Sequence, residues 1–131
     1  ILHGTQAVLA CTESTVPWTT VMIRKSFGVA AAAHCGPDGY VLAWPSSESG
    51  PLPLEGGVAV AFKKEIAEAE DPEKKRKELE AKMAKNQNPF PRAEAFSVHE
   101  IIDPRETRKY ISLWAERIQQ QLKASLNKRL S

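Results

Sequence analysis

The sequence predicts a mixed α/β fold of about one domain. Two short segments rich in β-branched and large apolar residues, Trp18–Arg24 and Tyr40–Trp44, are each followed by glycine or proline turns. Longer runs around them carry apolar residues at helical spacing. The 131 residues, 42% of them apolar, with 18 Lys plus Arg against 16 Asp plus Glu, have ordinary globular composition. A chain of this size can bury roughly two thirds of its unfolded surface. The longest apolar runs, Val29–Ala33 and Val58–Phe62, fall well short of the roughly 18 residues a membrane span requires, and no stretch has a signal peptide's layout. The expectation is a soluble intracellular protein with no membrane association.

Taken in order, Ile1 to Glu13 places Leu2, Val8, Leu9 and Ala10 on one helical stripe, and Pro17 stops the helix by disfavouring α geometry at Val16. The pattern is already under way at Ile1, so the expectation is a cut from a longer protein. Some core-like faces would then meet a part outside this sequence. Trp18 to Arg24 reads as a buried strand, Gly28 as a turn, and Ala30 to Cys35 as a helix ended by Gly36-Pro37-Asp38-Gly39. Tyr40 to Trp44 reads as a second strand. Pro45, Gly50, Pro51 and Pro53 leave only an irregular loop or very short strand between Ser46 and Pro53.

From Leu54 onward, Val58, Phe62, Ile66 and Ala69 recur at helical spacing, with Lys63, Lys64, Glu65 and Glu68 on the outer faces. Asp71 and Pro72 read as the N-cap and first position of a further helix. Its Asp71/Lys75, Glu73/Lys77 and Glu78/Lys82 pairs are spaced for ion pairing, and its core face is thin, mainly Leu79 and Met83. Asp103, Pro104 and Glu106 read as a capping box opening a last helix. The stripe Thr107, Tyr110, Ile111, Trp114, Ile118 and Leu122 should dock that helix on the domain or on a partner. Residues 1–122 form the folded part, and the basic residues 123–131 read as a frayed tail.

The net charge of +2 is too small for a nucleic-acid footprint, and charges of both signs between Lys63 and Lys85 nearly cancel, as on a solvated helix face. Cys11 and Cys35 have neither a disulfide framework nor a zinc-type spacing, and read as buried small hydrophobes. No metal and no disulfide are expected. A Gly-rich phosphate loop, a GxSxG elbow and an HExxH pair are all missing from the sequence. His3, His34 and His99 lie far apart and read as structural or surface residues. His34 adjoins Cys35, but helix neighbours point about 100° apart and do not form a dyad.

One segment remains, Arg24-Lys25-Ser26-Phe27-Gly28-Val29-Ala30-Ala31-Ala32, a strand passing through a glycine into a helix of small side chains. The first N–H groups of a helix lack internal partners and lie at the positive end of its dipole, so they can hold a carbonyl that gains negative charge. The alternative is that Gly28 is only a turn and the alanines only tight packing.

That segment resembles the RKAYGGAY stretch of the carboxyltransferase (β) subunits of biotin-dependent acyl-CoA carboxylases. Four further segments are similar to the same family in the same order. They are Ala10–Pro17 (ACTESTVP, like AEATVP), Ala43–Glu48 (AWPSSE, like AWPTAE), Asn88–Phe96 (NPFPRAEAF, like NPYPAAERG) and Ile101–Arg108 (IIDPRETR). The resemblance runs from Ile1 to about Trp114, along the C-terminal part of the carboxyltransferase C-domain. It implies an incomplete piece of a crotonase-like (ClpP/crotonase) ββα superhelix.

It also implies chemistry. In such enzymes a carboxyl group moves from carboxybiotin, borne on a carrier domain, to the α-carbon of an acyl-CoA through an enolate, with peptide N–H groups as oxyanion holes. Carried over, the biotin hole falls on the N–H groups of Val29 and Ala30, Gly28 makes the turn, and Ala32 faces the acyl group. The second hole lies in an N-domain absent from this sequence, so the fragment alone should be inactive. The implied partners are that N-domain, biotin carboxylase and biotin carrier subunits, and further copies of the subunit in a homo-oligomer. The implied location is the cytoplasm or the mitochondrial matrix. The family's second Gly is Val29 here, its Tyr is Ala31, and its AVMG is replaced by Gly50-Pro51-Leu52-Pro53. Pro53-Leu54-Glu55 also resembles the decarboxylase subunits of the glutaconyl-CoA type. A noncatalytic docking module is the alternative from another class.

Overall fold

The computed structural model describes residues 2–35 and 39–130. The chain opens with α1 (Leu2–Thr12) and then makes β1 (Thr19–Met22), β2 (Lys25–Phe27) and α2 (Gly28–Ala33). A second round follows with β3 (Tyr40–Ala43), β4 (Glu48–Gly50) and α3 (Leu54–Ala61), extended by α4 (Lys63–Ala67), α5 (Pro72–Gln87) and α6 (Pro89–Glu94). Then come β5 (Glu100–Ile101), a 3-10 turn (Pro104–Glu106) and α7 (Thr107–Leu130).

The pairing shows how these rounds stack. β3 lies between β1 and β5 in one parallel sheet, with Thr19 opposite Tyr40, Met22 opposite Ala43 and Ala43 opposite Ile101. β2 and β4 form a second parallel pair, with Lys25 opposite Glu48 and Phe27 opposite Gly50. Each round therefore adds one strand to each sheet and returns by helix. This is the ββα superhelical winding that the resemblance implies.

Both faces of β3 are covered, as a central parallel strand requires. Val41 and Ala43 join Met22 and Val98 in one cluster, with Cys35, Ala93 and Ile101 against it, while Leu42 is fully buried on the other face.

Several expectations change in detail. Trp18–Arg24 is not one strand, because the chain leaves the first sheet after Met22. The carbonyls of Ile23 and Arg24 accept from Ser46 Oγ (3.1 Å) and the Glu48 amide (2.6 Å), which redirects the chain into β2. The short-strand option between Ser46 and Pro53 is realised as β4. The helix expected from Leu54 to Ala69 breaks at Phe62 (φ −114°, ψ 24°), giving α3 and α4. The helix expected from Ala30 starts earlier, at Gly28. Of its expected stop signal, Gly36, Pro37 and Asp38 lie outside the described residues.

Asp71 caps α5 by accepting from the Lys74 amide at 3.0 Å, and Leu79 and Gln87 are its buried residues. Lys75 pairs with Glu65 of α4 at 2.9 Å instead of with Asp71, because the Asp71 carboxylate is committed to the cap; Arg76 and Glu80 pair along the helix at 2.7 Å. Asp103 caps the 3-10 turn through the Arg105 amide (2.9 Å). Glu106 reaches forward to Lys109 (2.9 Å) and not back to the cap, so the reciprocal half of the expected box is not made. α7 is anchored at its start by Trp44 Nε1 donating to Thr107 Oγ1 at 2.9 Å. It runs past Leu122 to Leu130, with Tyr110, Trp114 and Ile118 half-buried and Leu122 exposed. On α1, packed beside α2, Leu2 is 69% and Leu9 55% exposed, so the stripe marks a face that the described residues leave open.

Candidate functional site

The Gly28 turn is where strand becomes helix. Phe27 is extended (φ −125°, ψ 148°), and Gly28 adopts φ +72°, a left-handed conformation that glycine takes without the Cβ penalty. A β-carbon there would meet only the Pro51 carbonyl oxygen, at 3.8 Å, so the dihedral and not space calls for glycine. Phe27 provides no side-chain cap. The amides of Val29 and Ala30 fall in the first turn, where no carbonyl lies four residues back inside the helix. No turn, loop or cap carbonyl among the described residues accepts from either. Val29 is 70% exposed and Ala30 is exposed as well.

Beside the turn lies a cleft of about 240 Å³. Gly28, Ala31 and Ala32 line it from α2, Ser49 and Gly50 from β4, and Arg92 from α6. The structure thus brings Gly28 and Ala32 into one cleft, and places Val29 and Ala30 beside it on the more exposed side of α2. Two features set the position of Arg92. Asn88 caps α6 by accepting from the Phe90 amide (3.1 Å), and Phe96 in the left-handed region (φ 57°) turns the chain so that the Arg92 carbonyl accepts from the amides of Ser97 (2.9 Å) and Val98 (3.3 Å). The Arg92 side chain then reaches β4, donating from Nη1 to the Ser49 carbonyl at 3.1 Å, while its Nε is buried without an acceptor.

Both cysteines are free and only half-buried, not the buried small hydrophobes expected. The reason is position: Cys11 sits on α1, which packs chiefly on α2, and Cys35 sits at the edge of the cleft. Burial pushes the Cys35 thiol up, against a smaller opposing influence of the Arg92 charge.

A second cleft of about 410 Å³ lies between the starts of β3 and β5 and the flank of α7. Tyr40 donates its hydroxyl to the Glu100 carboxylate there. Burial, reinforced by that bond and the Glu100 charge, pushes the phenol up to about 12. His99 Nδ1 accepts from the Val41 amide at 3.0 Å, and the His99 ring lies 5.2 Å from that of Tyr40, which makes this histidine part of the sheet's edge. His3 and His34 are exposed, and His3 Nδ1 lies 3.3 Å from Gln6 Oε1. Among the described residues no group of three or more His, Cys, Asp or Glu could hold a metal ion, and no helix is long and apolar enough to cross a membrane.

Arg92 is the cleft residue that sequence reading missed. The available signal is its place in Asn88–Phe96, where Arg stands against Ala in the family string NPYPAAERG.

Known proteins resemble this chain along most of its length. The profile of the carboxyl transferase domain matches residues 1–130. The chain is 39% identical over 119 residues to the methylmalonyl-CoA carboxyltransferase 12S subunit of Propionibacterium freudenreichii subsp. shermanii, covering 86% of the chain and 22% of that protein. It is 35% identical over 116 residues to the methylmalonyl-CoA decarboxylase subunit alpha of Propionigenium modestum, covering 85% of the chain and 22% of that protein. A transcarboxylase 12S crystal structure, a hexamer assembly with methylmalonyl-coenzyme A and methylmalonic acid bound, superposes with a TM-score of 0.75 at 36% identity. That superposition covers 90% of this chain and 24% of the other. The fold is therefore that of the crotonase-like carboxyltransferases, and the chain spans about a fifth of the length of the curated relatives it matches.

Proposed function

Since the chain belongs to the carboxyl transferase domain family, we propose that it contributes the biotin-facing half of the active site of a biotin-dependent acyl-CoA carboxyltransferase. The observation that carries this reading is the Gly28 turn, a left-handed glycine opening a helix whose Val29 and Ala30 amides have no turn, loop or cap acceptor. Biotin, borne on a carrier, supplies the carboxyl group when it is docked. The local chemistry fits it: the lining is small at Gly28, Ala31 and Ala32, and the helix opening has no side-chain cap competing for its amides.

In this reading the Val29 and Ala30 amides stabilise negative charge on the ureido oxygen, which lowers the barrier to transferring the carboxyl group. Gly28 sets their direction, and Ala32 leaves room for the acyl group. Residues 1–122 act as the C-terminal part of the carboxyltransferase C-domain, followed by the basic segment 123–131. Acyl-CoA is the acceptor, and the enolate is held by a second set of amides in the N-domain. Biotin carboxylase and biotin carrier subunits complete the system, within a homo-oligomer located in the cytoplasm or a mitochondrial matrix.

Likeness to a decarboxylase subunit favours one further reading, the same transfer run toward carboxybiotin. The test is an assay of the 131-residue chain with carboxybiotin and a set of acyl-CoAs, alone and joined to the rest of a carboxyltransferase subunit, its N-domain and the remainder of its C-domain. Malonyl-type product is expected only in the joined form. Product from the chain alone would show that the second oxyanion site lies within it, and no product in either form would leave the docking-module alternative standing.

A further inference from the structure

The cleft beside Gly28 contains, among the described residues, one formally charged lining residue, and it is a cation. Its other lining residues are neutral, and several, among them Gly28, Ala31, Ala32 and Gly50, carry little or no side chain. The ion pairs formed among the described residues do not include Arg92. Its charge is felt inside the cleft, since it acts on the Cys35 thiol. A half-buried guanidinium with no carboxylate partner among the described residues is an arrangement that favours an anionic ligand.

The hydrogen bonding indicates the shape of that anion. Nη1 is held by the Ser49 carbonyl, which fixes the plane of the guanidinium. Nε is buried beneath the cleft wall without an acceptor, so the outer end of the guanidinium, Nη2 beside Nη1, is the part left to serve a ligand. That end, Nη2 with the second Nη1 hydrogen, matches the two oxygens of a carboxylate. A volume of about 240 Å³ admits a carboxylate on a short carbon unit and is small for a nucleotide.

We propose that Arg92 is the carboxylate-binding residue of this cleft, holding the carboxylate of the ligand beside the Gly28 turn through the Nη2 end of its guanidinium. The proposal rests on the carboxyltransferase reading and deepens it. Within that reading a carboxylate has two sources, the free carboxylate of a malonyl-type thioester and the N-carboxylate of carboxybiotin. Arg92 thereby becomes a specificity-determining residue, at a position where the family string has alanine.

The experiment uses the intact subunit carrying these residues. Calorimetry compares malonyl-pantetheine with acetyl-pantetheine, and freshly carboxylated biotin methyl ester with biotin methyl ester. Arg92→Gln, Arg92→Lys and the distant exposed Arg105→Gln are measured beside the wild type. The carboxylated member of one pair should bind at least about tenfold tighter, Arg92→Gln should erase that margin, Arg92→Lys should keep part of it, and Arg105→Gln should leave it intact. The pair in which the margin disappears identifies the source. Margins unchanged by Arg92→Gln, or no margin in either pair, overturn the proposal. Product formation by the same wild-type subunit tests the carboxyltransferase reading separately.

Discussion

The two clefts invert the usual signs of a reactive site. The larger, between β3, β5 and α7, has the aromatic walls, the carboxylate and the perturbed phenol of Tyr40. The smaller, at Gly28, has alanines, glycines, two backbone amides at its side and one arginine. Strong pKa perturbation marks reactive groups and structural clamps alike, and here the contacts separate the two. Tyr40, Glu100 and His99 hydrogen-bond to one another or to the sheet edge, fastening β3 to β5. A site that works through peptide N–H groups needs no titrating side chain, so it is found by unpaired amides and close backbone approach.

The sharpest way to break this comparison is to remove one amide. Ala30→Pro deletes a donor within the first helical turn, where proline is tolerated. In the subunit assembled with its partners, a loss of about 100- to 1000-fold in carboxyl transfer is expected, the typical effect of removing an oxyanion donor. Tyr40→Phe in the other cleft should leave the rate within a factor of about two, a residual far below a single tenfold step. Steady-state rates for both variants check this, and equal losses would erase the distinction between the clefts.

A second test strikes the sheet beneath both sites, since Met22 of β1 lines the smaller cleft and Tyr40 of β3 the larger. Leu42 has 0% exposure in the central strand. Leu42→Ala should destabilise by about 2–5 kcal/mol through lost burial and a residual cavity. Denaturant unfolding measures it, and a loss below about 1 kcal/mol would mean that the sheet is not the common support. A third, smaller effect isolates the turn. At Gly28 a methyl group has room but the φ of +72° does not suit it, so Gly28→Ala should cost about 1–2 kcal/mol, purely from backbone strain. Gly28→Asn should recover part of that loss, because asparagine tolerates this region better.

What was legible in the sequence follows the range of the interactions involved. Asp71-Pro72 and Asp103-Pro104 are short-range caps, written within four residues, and both form. The ββα winding was legible through a run of family-like segments and not through periodicity, because β2, β4 and β5 are two or three residues long. β5 exists only because Leu42 and Ala43 pair with it, a contact nearly sixty residues away. The break at Phe62 was hidden by Val58, Phe62 and Ile66, whose spacing reads the same through a straight helix or a bent one. At the site, Gly28 and the alanines were visible as a strand-to-helix turn, whereas Arg92 was not. Its role depends on α6 setting it against the Ser49 carbonyl, across more than forty residues of sequence.

The smallest effect, on stability in alkali, returns to the larger cleft and sharpens what its perturbed phenol means. In the folded chain Tyr40 keeps its proton to about pH 12, chiefly through burial and then through Glu100. An unfolded tyrosine releases it near pH 10. Between those values the unfolded state binds fewer protons than the folded one, so stability falls as pH rises. Below pH 10 both states hold the proton, and the contribution is fully present. Wild-type stability should therefore decline more steeply than that of Tyr40→Phe from about pH 10 to about pH 12, with the two curves running parallel below that window. Denaturant midpoints across the range measure the difference, and the ultraviolet absorbance of the phenolate locates the titration. If the two curves stay parallel throughout, the Tyr40–Glu100 pair does not clamp β3 to β5. If carboxyl transfer by the wild type follows the same titration while that of Tyr40→Phe does not, the larger cleft takes part in the chemistry and the division between the two clefts fails.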